Sequence, residues 1–262
     1  MRCIFCKEDS SSSISVEHIV PESLGNTQHM LPRGVVCDKC NNYFARKIEA
    51  PLLNSIYFKE QRFKMAIASK KNKIPFISGV HLESLTKIEM HKQIKSNDTS
   101  VMCAMGEADE SPFIHSVLNQ KSGRLVFPVS SYPLEDYVLS RFIAKVGLEV
   151  LASNFLKIPG GVDEITDKAE LDELREYVRQ GTPERVWPYS SRPIYSPEFL
   201  FVKNGETFEV LHEFKVIITD ISELYIVLAI FGMEYALNLG GRTLGGYYKW
   251  LKDNNERSPL YI

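Results

Sequence analysis

Apolar positions change their period along the chain, and each change marks a predicted element. Leu139, Ile143, Val146 and Val150 fall at helical spacing within "PLEDYVLSRFIAKVGLEVLASNFL" (residues 133–156), which predicts a long helix that Pro133 is suited to start. "DKAELDELREYVRQG" (167–181) predicts a second helix, with Asp167 as its cap and Gly181 as its stop. The period then shortens to that of strands. "FLFVKNGETFEVL" (199–211) reads as two β-rich runs around Asn204-Gly205, a hairpin signal, and "KVIITD" and "LYIVLAIF" continue the sheet. Upstream, "NSIYFKEQRFKMAIASKKNK" (54–73) predicts an amphipathic helix with Lys and Arg outward, closing at the Lys70–Lys73 cluster. Residues 1–52 show no such periods. They are dense in Cys, His, Asn, Gly and Pro, and predict a knuckle, two short strands separated by a loop, and a helix that Pro51 ends near Ala50.

These patterns give an α+β chain in three segments: a small domain over 1–52, a basic linker helix over 53–75, and a larger mixed α+β domain over 76–262. At 262 residues, 44% of them hydrophobic, the chain is globular and long enough for this arrangement. Its net charge of −2 conceals an asymmetry, because residues 1–75 carry 12 Lys+Arg against 7 Asp+Glu while the remainder carries 19 against 26. A basic N-terminal portion suits a polyanionic partner, and a solvated surface explains it almost as well. The most apolar run, from Leu224, is too short to span a bilayer and includes Glu234, so no membrane association is expected.

Four of the 5 cysteines form two C-x-x-C pairs, Cys3/Cys6 and Cys37/Cys40. Two such pairs flanking a compact Gly/Pro-rich segment match a tetrahedral structural zinc site. A redox pair is the alternative, but neither pair lies in a βαβ context. With no charged-then-apolar leader at the N-terminus, the cysteines point to a reducing, cytoplasmic location. Cys103 stands apart as an incidental thiol. Four thiolates saturate zinc, which leaves Glu17, His18 and the asparagines after Cys40 for other work.

Those remaining residues carry a resemblance. Glu17-His18-Ile19-Val20-Pro21, then Leu24-Gly25, then Cys37-x-x-Cys40-Asn41 resembles the HNH endonuclease superfamily, in the branch where two zinc knuckles hold the ββα-metal (His-Me finger) fold together. "RGVVCDKCN" is also similar to the recombination endonuclease VII group. The resemblance covers about the first fifty residues. It implies that His18 is the general base and that Glu17 and Asn41 hold a catalytic Mg²⁺ or Mn²⁺. Carboxylate and amide oxygens suit a hard cation, and a histidine titrating near neutrality suits proton abstraction from water. Successive residues of a regular strand face opposite ways, so joint action of Glu17 and His18 on one ion requires a kink or a strand end, which Pro21 nearby fits. There are departures from the family pattern. Glu17 stands where Asp is frequent, Pro32 takes the place of the middle asparagine, for which Asn26 and His29 are the candidate substitutes, and Asn42 competes with Asn41.

The resemblance implies cleavage of nucleic acid, with DNA ahead of RNA. Arg33, Arg46 and Lys47 are candidates to grip the phosphate backbone. Restriction, anti-phage defence or a mobile element is the setting by analogy. The C-terminal domain would select substrate, partner or trigger, which leaves room for a protein partner or a homo-oligomer. The rival reading is a zinc-knuckle module that binds nucleic acid or protein and cuts nothing. His81, His91, His115 and His212 read as structural, His29 as either a loop residue or a phosphate contact, and Trp187, Tyr189 and Trp250 as core.

Overall fold

The computed structural model describes residues 1–94, 96, 98–104, 111–119, 123–130, 136–203 and 205–261. The chain opens in a tight turn, in which the N–H of Lys7 donates to the Cys3 carbonyl at 2.9 Å. Two short strands follow, β1 (Glu17–His18) and β2 (Met30–Leu31), paired antiparallel with Glu17 opposite Leu31 and His18 opposite Met30. Helix α1 (Asp38–Phe44) begins at Cys37, whose sulfur accepts from the Cys40 N–H, as an N-cap side chain does. Pro51 does not end the helical path. A π-helical turn (Ala45–Glu49) passes into α2 (Ala50–Asn54), and Pro51, lacking an N–H, falls in the first turn of that new segment, where an amide donor has least use.

Residues 53–134 form one compact unit. Its helix α3 (Ile56–Lys64) is shorter than the sequence predicts, because the chain turns at Met65 and Ala66 takes a positive φ of 53°. Arg62 on this helix is buried rather than outward. Strands β3 (Ile77–His81), β4 (Thr86–Lys92) and β5 (Thr99–Cys103), helix α4 (Ser111–Asn119) and strand β6 (Leu125–Val126) complete the unit. Its sheet has the antiparallel order β5-β4-β3-β6.

Residues 135–262 group with 1–52 in the other compact unit, so the packing divides the chain differently from the linear segments expected above. Helix α5 (Asp136–Phe155) is the long predicted helix, and Leu139, Ile143, Val146 and Val150 are all buried. Pro133 lies outside the described residues. Helix α6 (Gly161–Asp167) was not predicted; the second predicted helix is a short 3-10 turn (Ala169–Leu171) followed by α7 (Asp172–Gln180), with Gly181 closing α7. Asp167 ends α6 instead of capping α7, and its carboxylate takes the Arg2 guanidinium at 2.8 Å. Strands β7 (Ser190–Pro193), β8 (Leu200–Lys203), β9 (Glu206–Glu209), β10 (His212–Ile218), β11 (Leu224–Ile230) and β12 (Met233–Asn238) precede α8 (Gly245–Asp253). β8 and β9 form the predicted hairpin, with Gly205 at a φ of 84°; Asn204 lies outside the described residues.

The main sheet has the order β10-β11-β12-β7, antiparallel throughout. Tyr225 through Ile230 on β11 are all buried, as expected for a central strand covered on both faces. Helix α5 lies close to this sheet because of Gly147. A Cβ there would come within 2.6 Å of Leu239 and 2.9 Å of Ile226. The fold is therefore mixed α+β, with a four-cysteine N-terminal segment ahead of a larger α+β region.

Candidate functional site

The sulfurs of Cys3, Cys6, Cys37 and Cys40 lie within 4.8 Å of one another, and Cys6 and Cys37 are 3.7 Å apart. Tetrahedral thiolates about 2.3 Å from a zinc ion stand roughly 3.8 Å from each other, so this donor set fits such an ion. Proton sharing within the cluster is correspondingly uneven. A bond from Cys40 holds the Cys3 thiol down at about 5, whereas burial pushes Cys6 up to about 11. Cys40 is raised as well, first by its bond to Cys3 and then by burial. A divalent cation relieves such crowding by replacing protons. The four cysteines can thus hold a structural metal such as zinc. The Cys37 N–H donates to the Cys3 sulfur at 3.3 Å, which ties the two knuckles through the backbone as well.

Between the knuckles, the loops on either side of β1 are fixed by polar side chains. Asp38, at the start of α1, accepts from the Ile14 and Ser15 N–H groups and from the Ser15 hydroxyl, which holds its carboxyl below the usual carboxylate range. After β1, the fully buried Asn26 donates to the Val20 and His29 carbonyls at 2.7 and 2.8 Å and accepts from the Gln28 and His29 N–H groups. Asn26 thus braces the loop that follows His18, the part expected of the asparagine missing at Pro32. His29 is exposed, and its ring meets those of His212 and Phe214 at 5.8 and 4.9 Å. The rings border a cavity of about 280 Å³ lined by residues 25–29 and 209–212.

The two residues of β1 are turned opposite ways. His18 is half-buried on the face shared with exposed Met30, whereas Glu17 shares the inner face with buried Leu31 and is only 5% exposed. The Glu17 carboxylate meets Lys145 Nζ of α5 at 2.6 Å. Glu49, in the π-helical turn, meets the same ammonium at 2.9 Å, and Glu149, one turn further along α5, at 3.0 Å. Lys145 and Glu149 are both fully buried. Burial pulls the Lys145 ammonium down, but Glu149, Glu17 and Glu49 outweigh it, so its pKa is raised. Burial pushes the Glu149 carboxyl well up, against the opposing pull of Lys145.

This placement disagrees with the metal-ligand role that the resemblance implies for Glu17. Although β1 ends at His18, its two residues face opposite ways, and the carboxylate is engaged by a lysine. For a hard cation, Asn41 offers an amide oxygen from half-buried α1. Arg33, Asn42, Arg46 and Lys47 are exposed, and Arg46 Nε donates to the Asn42 carbonyl at 3.2 Å.

Reading the sequence missed the cations that hold this segment. Arg141, Lys145 and Glu149 sit at i, i+4 and i+8 of α5, and all are buried. A stripe of charge on a helix otherwise apolar at those turns was the available signal. Arg141 donates to the Tyr43 hydroxyl at 3.0 Å. Arg175 of α7 donates to the Ile4 carbonyl at 2.8 Å, and Lys7 pairs with Asp172 at 2.6 Å.

Among the described residues, no helix is long and apolar enough to cross a membrane. No curated protein and no solved structure matches the chain. A family model described as HNH endonuclease matches residues 3–57, which span both knuckles, β1, β2 and α1, and this points to a nuclease acting on nucleic acid. The N-terminal segment of the chain is therefore similar to the HNH endonuclease family.

Proposed function

We propose that the protein is a divalent-metal-dependent endonuclease that hydrolyses phosphodiester bonds, with DNA as its substrate. The observation that carries this reading is His18 on the outward face of β1, in a segment pinned at both ends by the cysteine cluster and matched to the HNH endonuclease family. His18 takes the proton from the attacking water, a role its imidazole suits near neutral pH. Asn26 and Asp38 hold the loops on either side of that histidine. Asn41 is the residue we assign to Mg²⁺ or Mn²⁺, with waters and phosphate oxygens as the other ligands. When bound, such an ion would supply neutralisation of charge on the phosphoryl group. Exposed Arg33, Arg46 and Lys47 grip the phosphate backbone and set register without reading sequence.

The remainder of the chain selects the substrate, a protein partner or a trigger, and restriction, anti-phage defence or a mobile element is the setting we favour by analogy. The engaged Glu17 favours one rival, a knuckle module that binds nucleic acid without cutting it. One experiment separates the two. Wild type and His18→Ala are compared on duplex DNA, single-stranded DNA and RNA with added Mg²⁺ or Mn²⁺, and zinc content is measured in parallel. The expected result is cleavage of DNA by wild type and a loss of at least about a hundredfold in His18→Ala, with zinc retained at the wild-type level. Equal cleavage by both proteins removes His18 from the mechanism, and binding without cleavage by wild type establishes the rival.

A further inference from the structure

We propose that Lys145 on α5 is a positioning residue for the nuclease site, and that Glu17 serves it as an internal anchor instead of ligating the catalytic metal. The inference rests on the nuclease reading above. Its basis is geometric. One fully buried ammonium reaches Glu17 at 2.6 Å and Glu49 at 2.9 Å, so a single side chain fixes both β1 and the helical path that continues from α1. These are the elements that carry His18 and Asn41. Because neighbouring strand residues face opposite ways, pulling Glu17 inward turns His18 outward.

The cluster is arranged for placement more than for stability. A buried ion pair gives little net stabilisation, since desolvation offsets the attraction, but it fixes geometry and direction. Arg141 of the same helix, bonded to Tyr43 at 3.0 Å, adds a second tie to α1 one turn away. The segment matched to the HNH family, residues 3–57, thus depends on a helix that begins only at Asp136.

The two roles open to Glu17 differ in a measurable way. A glutamine at position 17 still presents an oxygen to the Lys145 ammonium, but it lacks the charge that a metal ligand contributes. Glu17→Gln, Lys145→Met and Lys145→Arg are therefore made in the full chain. Cleavage is measured as kcat and KM for DNA, Mn²⁺ affinity by electron paramagnetic resonance, and zinc content and folding by metal analysis and circular dichroism. The expected result is that Glu17→Gln keeps Mn²⁺ affinity within about twofold and most of its kcat. Lys145→Met loses about ten- to a hundredfold in kcat, the range found for residues that orient a site. Its KM, Mn²⁺ affinity and zinc content stay near wild type, and Lys145→Arg recovers part of the loss.

A tenfold or greater loss of Mn²⁺ affinity in Glu17→Gln overturns the proposal, because Glu17 is then a ligand. Wild-type kcat in a folded Lys145→Met also overturns it. Should Lys145→Met not fold, Lys145→Gln takes its place, and wild-type kcat in a folded Lys145→Gln is the overturning result. If wild type itself does not cleave, the nuclease reading fails and this one falls with it. Cleavage by wild type that is insensitive to every Lys145 variant leaves the nuclease reading standing and removes only this one.

Discussion

Residues 1–52 and the sheet with α5 belong to one compact unit, yet they differ in how much their apolar burial is supplemented by directional contacts. The sheet is held by apolar burial. From Tyr225 to Ile230 no residue of β11 retains exposed surface, and α5 contributes Leu139, Phe142, Ile143 and Val146 to the same core. The N-terminal segment also buries Ile4, Phe5, Val20, Leu24, Phe44 and Ile48, but its two strands have only two residues each, and it adds point attachments to that core: four sulfurs around one centre, Asn26 and Asp38 on backbone amides and carbonyls, and the cations Arg141, Lys145 and Arg175 reaching in from α5 and α7. Burial is non-directional and tolerates drift, whereas point attachments specify where a side chain sits. A site that must present a histidine at a fixed angle gains from the second kind of construction.

The contrast is tested most severely at the cysteines. Cys37→Ser, or stripping the metal with a strong chelator, should remove bound zinc and expose amides across residues 1–52 to rapid hydrogen exchange, while β11 and α5 keep most of their protection. Structural zinc contributes apparent free energies of about 10 kcal/mol or more in small knuckle domains, so this is the largest effect expected. Uniform loss of protection over the whole unit would show that the two regions are one cooperative block.

The same division explains what could be read from the sequence. The cysteine pairs, the helix through Leu139 and Val150 and the hairpin around Gly205 were legible, because each is encoded locally by spacing or by turn chemistry. The grouping of residues 1–52 with 135–262 was not, since α5 joins the N-terminal segment through contacts between residues about a hundred positions apart, and no local pattern carries that. Glu17 shows the same limit of local reading. Its partner Lys145 lies 128 positions away by residue number, so the motif beside it offered the only guide to its role. Asn26, by contrast, could be recognised as a candidate from the gap at Pro32, but its hydrogen bonds to Val20 and His29 needed the fold.

An intermediate effect is expected in the apolar region. Leu228→Ala, in the middle of β11 and fully buried, removes side-chain volume that its neighbours cannot refill and should cost about 2–5 kcal/mol in denaturant unfolding. Zinc stoichiometry should stay at the wild-type level in the folded fraction. A variant that loses zinc in step with sheet stability would break the comparison, because the point attachments would then depend on the packed core for their existence.

The smallest effect lies where the two regions meet, at His212 on β10 beside His29. Burial first, and then the charge of the His29 imidazole, lowers the pKa of His212 to about 4, with the Leu24 carbonyl opposing. A histidine whose folded value is depressed binds its proton more tightly when unfolded. Its contribution to stability is therefore present above about pH 6.5 and is lost as the pH falls through that value towards about 4. Two and a half pH units correspond to at most about 3 kcal/mol, less whatever relaxation lets water reach the ring. Wild type and His212→Phe should therefore diverge progressively as unfolding is measured from pH 7 down to pH 4, with the wild type losing more. Hydrogen exchange locates the loss. Opening confined to residues 25–29 and 209–212 would mark the seam as separately adjustable, and parallel curves for the two proteins would show that protonation of His212 does not separate the N-terminal segment from the sheet.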